Sequence, residues 1–262
     1  MRRARLAAGL ALAALAVGCG HGARAGTALA PAPVAQTASS EELDALWNQA
    51  VAAFRHGKWK QASELFGRVN LEFPPGDPRI AQSRFYLGEV QFARGENLDA
   101  VRQFRRVSDE APNDPLAPEA LLRVGDAYAD LWHRPELDPT YGQTALAAYE
   151  ELVSRYPDTP AALRAKKKIE RLQDWFAIKD YKAALYYLRY KAYESAIIYL
   201  RDLVAKYPRA SVAPQALVKL VGAYRKLGYK EEEQETCGYL RRFHPKAAGV
   251  DEVCPAPPAG TS

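Results

Sequence analysis

The side chains in this sequence with the most distinctive chemistry are its three cysteines. Cys19 stands directly behind an apolar run, in "LAVGCG", where a thiol can fix the chain covalently to something else. Cys237 and Cys254 sit near the other end, where a bridge would close a loop of about 16 residues and contribute roughly 3 kcal/mol; two free thiols suit the same spacing. Catalytic chemistry has less to work with. His21, His56, His133 and His244 are scattered without metal-ligand spacing, and neither C-x-x-C nor H-E-x-x-H occurs. There is no G-x-S-x-G elbow. The glycines around Cys19 have no strand before them and no helix after, so they form no phosphate loop. The acids make no pair that stacked helices would bring into a cleft. We therefore expect no enzyme, no metal and no cofactor.

The elements that position these residues begin with the leader. Met1, Arg2, Arg3, Ala4 and Arg5 form a basic start, and Leu6 to Val17 carry no charged or polar side chain. That layout predicts a signal peptide over 1–18. Twelve apolar residues make a helix of roughly 18 Å, short of a hydrocarbon core of about 30 Å. The leader supplies three positive charges, so without it the net charge of +5 falls to about +2. The densest basic cluster, "RAKKKIER" from Arg164 to Arg171, contains an acid and sits in a helical pattern. A solvated helix face is the expectation there, and no nucleic-acid partner is expected.

Gly18 before Cys19, with Leu15, Ala16 and Val17 upstream, resembles the lipobox of bacterial lipoproteins, in which the cysteine becomes the acylated first residue. Ordinary secretion with cleavage near Ala25 or Ala30 is the alternative. Residues 19–40 are mostly Gly, Ala, Pro, Ser and Thr, which predicts a flexible tether with a reach of about 25 Å. By this resemblance, Gly20 after the cysteine implies delivery to an outer membrane. The chain would then be lipid-anchored on the periplasmic face, where Cys237 and Cys254 would meet oxidising conditions. The last residues, 248–262, are expected to be a disordered tail.

From Ser40 on, the sequence repeats. "LEFP" ends at Pro74, "DEAP" at Pro112, "SRYP" at Pro157, "AKYP" at Pro208 and "RFHP" at Pro245. Twelve residues before each proline stand Ala62, Ala100, Ala145, Ala196 and Glu233; eight before stand Phe66, Phe104, Tyr149, Leu200 and Cys237. Five residues ahead of the small position come Gly57, Gly95 and Gly228, with Thr140 and Lys191 as exceptions. The first helix repeats the logic at Ala50, Gly88, Gly125 and Ala184, with Val221 in the last copy. This is the tetratricopeptide (TPR) pattern, in which a small residue admits the paired helix and a large one fills the hole. It predicts an all-α, TPR-like solenoid of five helix-turn-helix repeats over 41–247, at about 43–76, 81–114, 118–159, 161–210 and 214–247. The prolines of "HRPELDPTYG" predict an exposed loop inside repeat three. Thr159 and Pro160 can open a helix that runs on without Gly or Pro for about 45 Å.

Lipobox, tether, five TPR units, an insertion in the third and a long first helix in the fourth together resemble the BamD family of outer-membrane assembly lipoproteins, over about residues 40 to 245. "LDPTYGQTALAAYEELVSRYPDTP" and "WFAIKDYKAALYYLRYKAYESAII" look like that family's third-repeat insertion and fourth-repeat hairpin. The resemblance implies a non-catalytic scaffold that docks through its C-terminal half on a periplasmic POTRA domain of BamA. The N-terminal half would help recognise and insert unfolded outer-membrane proteins, whose C-terminal signal usually ends in an aromatic residue. Where the family tends to show Arg-Gly-Ala after paired tyrosines, this chain has Tyr190, Lys191 and Ala192, with Arg189 next door. A periplasmic TPR protein of the Tol-Pal or cell-division coordinator type is the alternative, although those carry a coiled-coil segment that this chain lacks.

Projected onto the inner wall of the solenoid, the register selects Trp47, Phe54 and Arg55 in repeat one and Phe85 and Phe92 in repeat two. Each aromatic pair is spaced seven residues apart, on one helix face. These are candidate client-peptide pockets, with Arg55, Arg84 or Arg94 to meet a terminal carboxylate; the same rings could instead pack between repeats. In the C-terminal half the projection selects Arg189, Tyr190, Arg225 and Lys226 as candidate partner contacts, which solvated surface charges would equally well explain.

Overall fold

The computed structural model describes residues 39–255; the lipobox Cys19 and nearly all of the expected leader and tether lie outside the described residues. Helix starts are written in short polar signals. Ser39 caps α1 (Ser40–Arg55) through a reciprocal box with Glu42, and Asp77 caps α3 (Pro78–Ala93) by accepting from the Arg79 amide at 2.8 Å. Between and after them run α2 (Trp59–Glu72), α4 (Asn97–Glu110), α5 (Ala117–Asp130) and α6 (Thr140–Arg155). Thr159 accepts from the Ala162 amide at the head of α7 (Pro160–Arg189), which has 30 residues. The remaining elements are α8 (Tyr193–Lys206), α9 (Ala213–Leu227), α10 (Lys230–Phe243) and the four-residue α11 (Val250–Val253). Among the described residues there is no strand, and no helix is long and apolar enough to cross a membrane.

The first ten helices pair in chain order, and each packs chiefly on the one before and the one after; α5 also touches α7, and α7 touches α9. This is the layout of a TPR-like α-solenoid of five helix pairs. The turn inside a pair needs a left-handed residue. Gly57, Gly95 and Gly228 supply it at φ +66°, +76° and +77°. In the fourth pair Lys191 takes the same conformation at φ +59°, the single non-glycine residue with positive φ among the described residues. Thr140 has no such turn to make, because residues 131–139 replace it and Thr140 opens α6.

Inside each pair the small positions do what their spacing implies. Ala50, Ala62, Ala100, Ala145, Ala184 and Ala196 are fully buried. A Cβ on Gly88 would stand 2.6 Å from the Phe104 ring, and one on Gly125 would overlap the Tyr149 ring. Phe66, Phe104 and Tyr149 fill the spaces so left, each contributing about 2 kcal/mol by burial. The core is therefore a string of clusters handed from one pair to the next.

One segment is the exposed loop expected, with contacts its pattern did not specify, and a second departs from expectation. The insertion in repeat three is exposed over most of 133–140, but it is not free. Trp132 at its start is 1% exposed, stacked on Phe176 at 4.7 Å and edge-on to Trp175 at 5.4 Å. The Lys179 ammonium donates to the carbonyls of Leu137 (2.9 Å) and Glu136 (3.3 Å), and Lys182 pairs with the Glu136 carboxylate. The long helix α7 thus holds the loop against itself. Second, the expected disordered tail carries structure up to residue 255. Cys237 and Cys254 form a disulfide with Cα atoms 5.5 Å apart, α11 lies between them, and Val250 is buried against Leu217 and Leu240. A covalent tie and a buried valine offset the chain entropy that a free tail would keep.

Candidate functional site

A concavity of about 510 Å³ lies between α3, α5 and α7. These three first helices supply most of its wall, and Tyr149 of α6 with Trp132 and His133 of the insertion complete it. On α5, the Arg123 guanidinium grips Glu89 of α3 at 2.5 and 2.9 Å, reaches Asp126 at 3.0 Å and lies 4.3 Å over the Phe92 ring. Burial by itself would lower the pKa of Arg123, and the hydrogen bonds and charges of Glu89 and Asp126 instead hold it above its ordinary value. Asp126 also accepts from the Tyr149 hydroxyl at 2.7 Å and from the Lys168 ammonium at 2.9 Å. Burial, reinforced by the Asp126 charge, pushes the Tyr149 phenol well above its usual range. Asp126 is thereby occupied by three donors.

Asp130, also at the wall, accepts from the Asn97 amide at 2.8 Å and has no cation partner among the described residues, and two donors there lack partners as well. Arg171, exposed on α7 at the cavity wall, has no ion pair among the described residues. The indole Nε1 of buried Trp132, which also lines the cavity, has no hydrogen-bond partner among them either. Gly142 occupies the opposite, Cε3 edge of that indole. Trp175, Leu172 and Phe92 supply apolar surface beside these donors. Such a setting suits a ligand that brings an acceptor or carboxylate next to an aromatic or aliphatic group.

The expected client-binding stripe divides in two. Trp47 and Phe54 are half-buried and pack on Tyr86 at 6.1 and 4.9 Å and on Phe66 at 5.9 and 6.4 Å, in a cluster joining the first two repeats. Phe85 meets Phe104 edge-on at 5.5 Å. Phe92 alone of the five lines the cavity. Arg55 is exposed beside the first cluster; Arg84 pairs with Glu110 and Arg94 with Glu96. Reasoning from the register missed Arg123, Asp126, Trp132, Lys168, Arg171 and Trp175. Trp132 carried one available signal, a large aromatic residue at the edge of a polar insertion.

In the C-terminal half the four expected partner residues also separate. Arg189 and Tyr190 lie together at the end of α7, where the guanidinium stands 5.4 Å from the Tyr190 ring and 6.0 Å from that of Tyr186. Tyr186 and Tyr190 are 53% and 63% exposed, their centroids 4.8 Å apart, and the Tyr187–Tyr199 stack continues the patch onto α8. Arg225 turns away, pairing with Glu233 at 2.7 Å and donating to the Val253 carbonyl. Lys226 lines a groove with Leu188 and Tyr193. Of the basic run at 164–171, Arg164 pairs with Glu119 and Lys168 with Asp126, while Lys166 and Lys167 face solvent.

Comparison with known proteins adds to this geometry. The family described as YfiO, outer membrane lipoprotein, matches residues 39–238. Proteins named outer membrane protein assembly factor BamD are similar along most of the chain. The one from Caulobacter vibrioides is 26% identical over 76% of this chain and 65% of its own length. That from Vibrio cholerae is 25% identical over 73% and 83%, and that from Neisseria gonorrhoeae 26% over 91% and 89%. The chain spans about two thirds of the length of the Caulobacter and Xylella relatives. Among solved structures, the TPR2AB domain of yeast Sti1 is 11% identical over 82% of this chain and 83% of that one, with a TM-score of 0.44. A match over most of the chain, falling on all five helix pairs, means that the protein belongs to the YfiO family of outer membrane lipoproteins.

Proposed function

We propose that the protein is a non-catalytic scaffold in the assembly of outer-membrane proteins, receiving client segments in a cavity shared by repeats two to four and docking on BamA through its C-terminal half. The name borne by its relatives supports the general role. The observation that carries client reception is the cavity between α3, α5 and α7, with a buried indole N–H lacking an acceptor and an arginine lacking an acid. An extended peptide ending in an aromatic residue brings both things the cavity wants, a carboxylate for Arg171 and Lys168 and a ring for Trp175 and Phe92. The exposed patch of Tyr186, Arg189 and Tyr190 is the docking surface, in keeping with the taste of protein interfaces for tyrosine and arginine. Cys19 carries the acyl anchor that keeps the body at the periplasmic face of the outer membrane.

The test separates the two surfaces. Arg171→Glu should weaken binding of a peptide ending in phenylalanine tenfold or more, and amidating that peptide's C-terminus should do the same to the unaltered protein. Co-purification with BamA should survive Arg171→Glu and be lost in Tyr186→Ala/Tyr190→Ala. Equal affinity for acid and amide peptides would contradict the site.

A further inference from the structure

The last pair of a stacked-repeat protein leaves one apolar side that no following repeat covers. Here the segment 249–255 closes it. Val250 and Cys254 are each 3% exposed and pack with Leu217 and Val221 of α9 and Leu240 of α10. Four residues are far too few for a helix to persist unaided. Three backbone bonds shape this one: Val250 N–H to the Ala247 carbonyl, Val253 N–H to Gly249 and Cys254 N–H to Val250, at 3.2, 3.1 and 2.8 Å. Its ties to the body are two arginines and one covalent bond. Arg225 donates to the Val253 carbonyl, Arg241 donates to the carbonyls of Cys254 and Pro255, and the disulfide joins Cys254 to α10. The same strap forms one wall of a groove of about 530 Å³ whose other side includes Tyr181, Leu188 and Tyr193.

We infer that the Cys237–Cys254 disulfide is a redox-operated clasp: oxidised, it seats 249–255 over the end of the solenoid and walls the groove; reduced, it lets the strap go. The two sulfurs are not equivalent. Cys237 is partly exposed and Cys254 is buried, so a dithiol reductant attacks at Cys237. Its thiolate bonds to the Cys237 sulfur, the S–S bond breaks, and the Cys254 sulfur leaves with the electron pair and takes a proton. The second thiol of the reductant then displaces Cys237, which is protonated in turn; the cysteines gain two electrons and two protons and the reductant ends as a disulfide. With the covalent bond gone, the four-residue helix is held only by the two arginine bonds and the packing of Val250, too little for so short a helix to persist. Release uncovers Leu217, Val221 and Leu240 and removes one side of the groove. The inference stands independently of the client and docking roles proposed above.

Amide hydrogen exchange of the full chain, oxidised and after dithiothreitol, tests it. Peptides covering 247–255 should exchange at least tenfold faster once reduced, with Leu240 and its neighbours following, while α1 to α8 stay within twofold; reoxidation should restore protection. Cys237→Ser/Cys254→Ser should match the reduced protein and ignore dithiothreitol. Unchanged exchange at 247–255 would show that the arginines and Val250 suffice and would overturn the clasp. Loss of protection through α7 to α10 together would also overturn it, making the bond a staple of the whole half.

Discussion

At the scale of single residues, the positions with no room and the one position with strain are the most informative. Gly125 faces the Tyr149 ring so closely that Gly125→Ala must displace the ring or the helix. A cost of about 2 kcal/mol is expected, read as a lower urea midpoint at unchanged slope. Lys191 holds a left-handed backbone that glycine adopts freely in three sister turns. Lys191→Gly should stabilise the protein by about 1 kcal/mol, the reverse of the usual sign for glycine inside a helix. Phe54 is tightly engaged with Tyr86 and Phe66, so Phe54→Ala is expected to cost about 2 kcal/mol in the same assay. A variant that weakened peptide binding with no such cost would restore Phe54 as a direct contact. The small and large positions of each repeat were legible because they recur at fixed distance from a proline. The Arg123–Asp126–Tyr149–Lys168 network was not: its members come from three helices at no shared interval, and only the stacking angle brings them together.

At the scale of elements, caps and junctions set the response to pH. Asp77 caps α3 and holds Arg79, which reaches across to Asp44 of α1 at 2.5 Å and covers the Phe73 ring. The Arg79 hydrogen bonds hold the Asp77 carboxyl below its ordinary 3.8. Because the folded value is the lower one, the contribution is complete above about pH 4 and is lost as pH falls through the folded value. Glu151 adds the same sign: Arg105 and Arg155 outweigh the burial that would raise it. Asp77→Asn keeps an acceptor at the cap but loses the charge, so its melting temperature should fall less steeply below pH 4 than that of the unaltered protein. Thr159 and Pro160 announced α7 in the sequence, and the helix runs as their pattern predicts. The fate of the insertion could not be read the same way, since prolines forbid helix without saying which neighbour will hold the loop. Nor could the tail be read, because whether two cysteines bridge depends on where α10 leaves them.

At the scale of the whole molecule, the family and the solenoid were both within reach of the sequence, since five copies of one pattern leave few alternatives. The candidate interaction surfaces were only half legible. Projection placed Phe92, Arg189 and Tyr190 on surfaces where the structure also finds a cavity or an exposed patch. It also selected Arg225, which the fold spends on its own C-terminal strap. Charge reversal at Arg225 is thus expected to loosen α11 as well as any partner. The cavity spans repeats two to four and the tyrosine patch sits at the far end of α7, so that one helix contributes to both surfaces. Affinity capture of the full chain from detergent-solubilised outer membrane tests the scaffold account most directly. BamA should be the main partner recovered, retained by Arg171→Glu and lost from Tyr186→Ala/Tyr190→Ala. Recovery of Tol-Pal or cell-division components in place of BamA would contradict it.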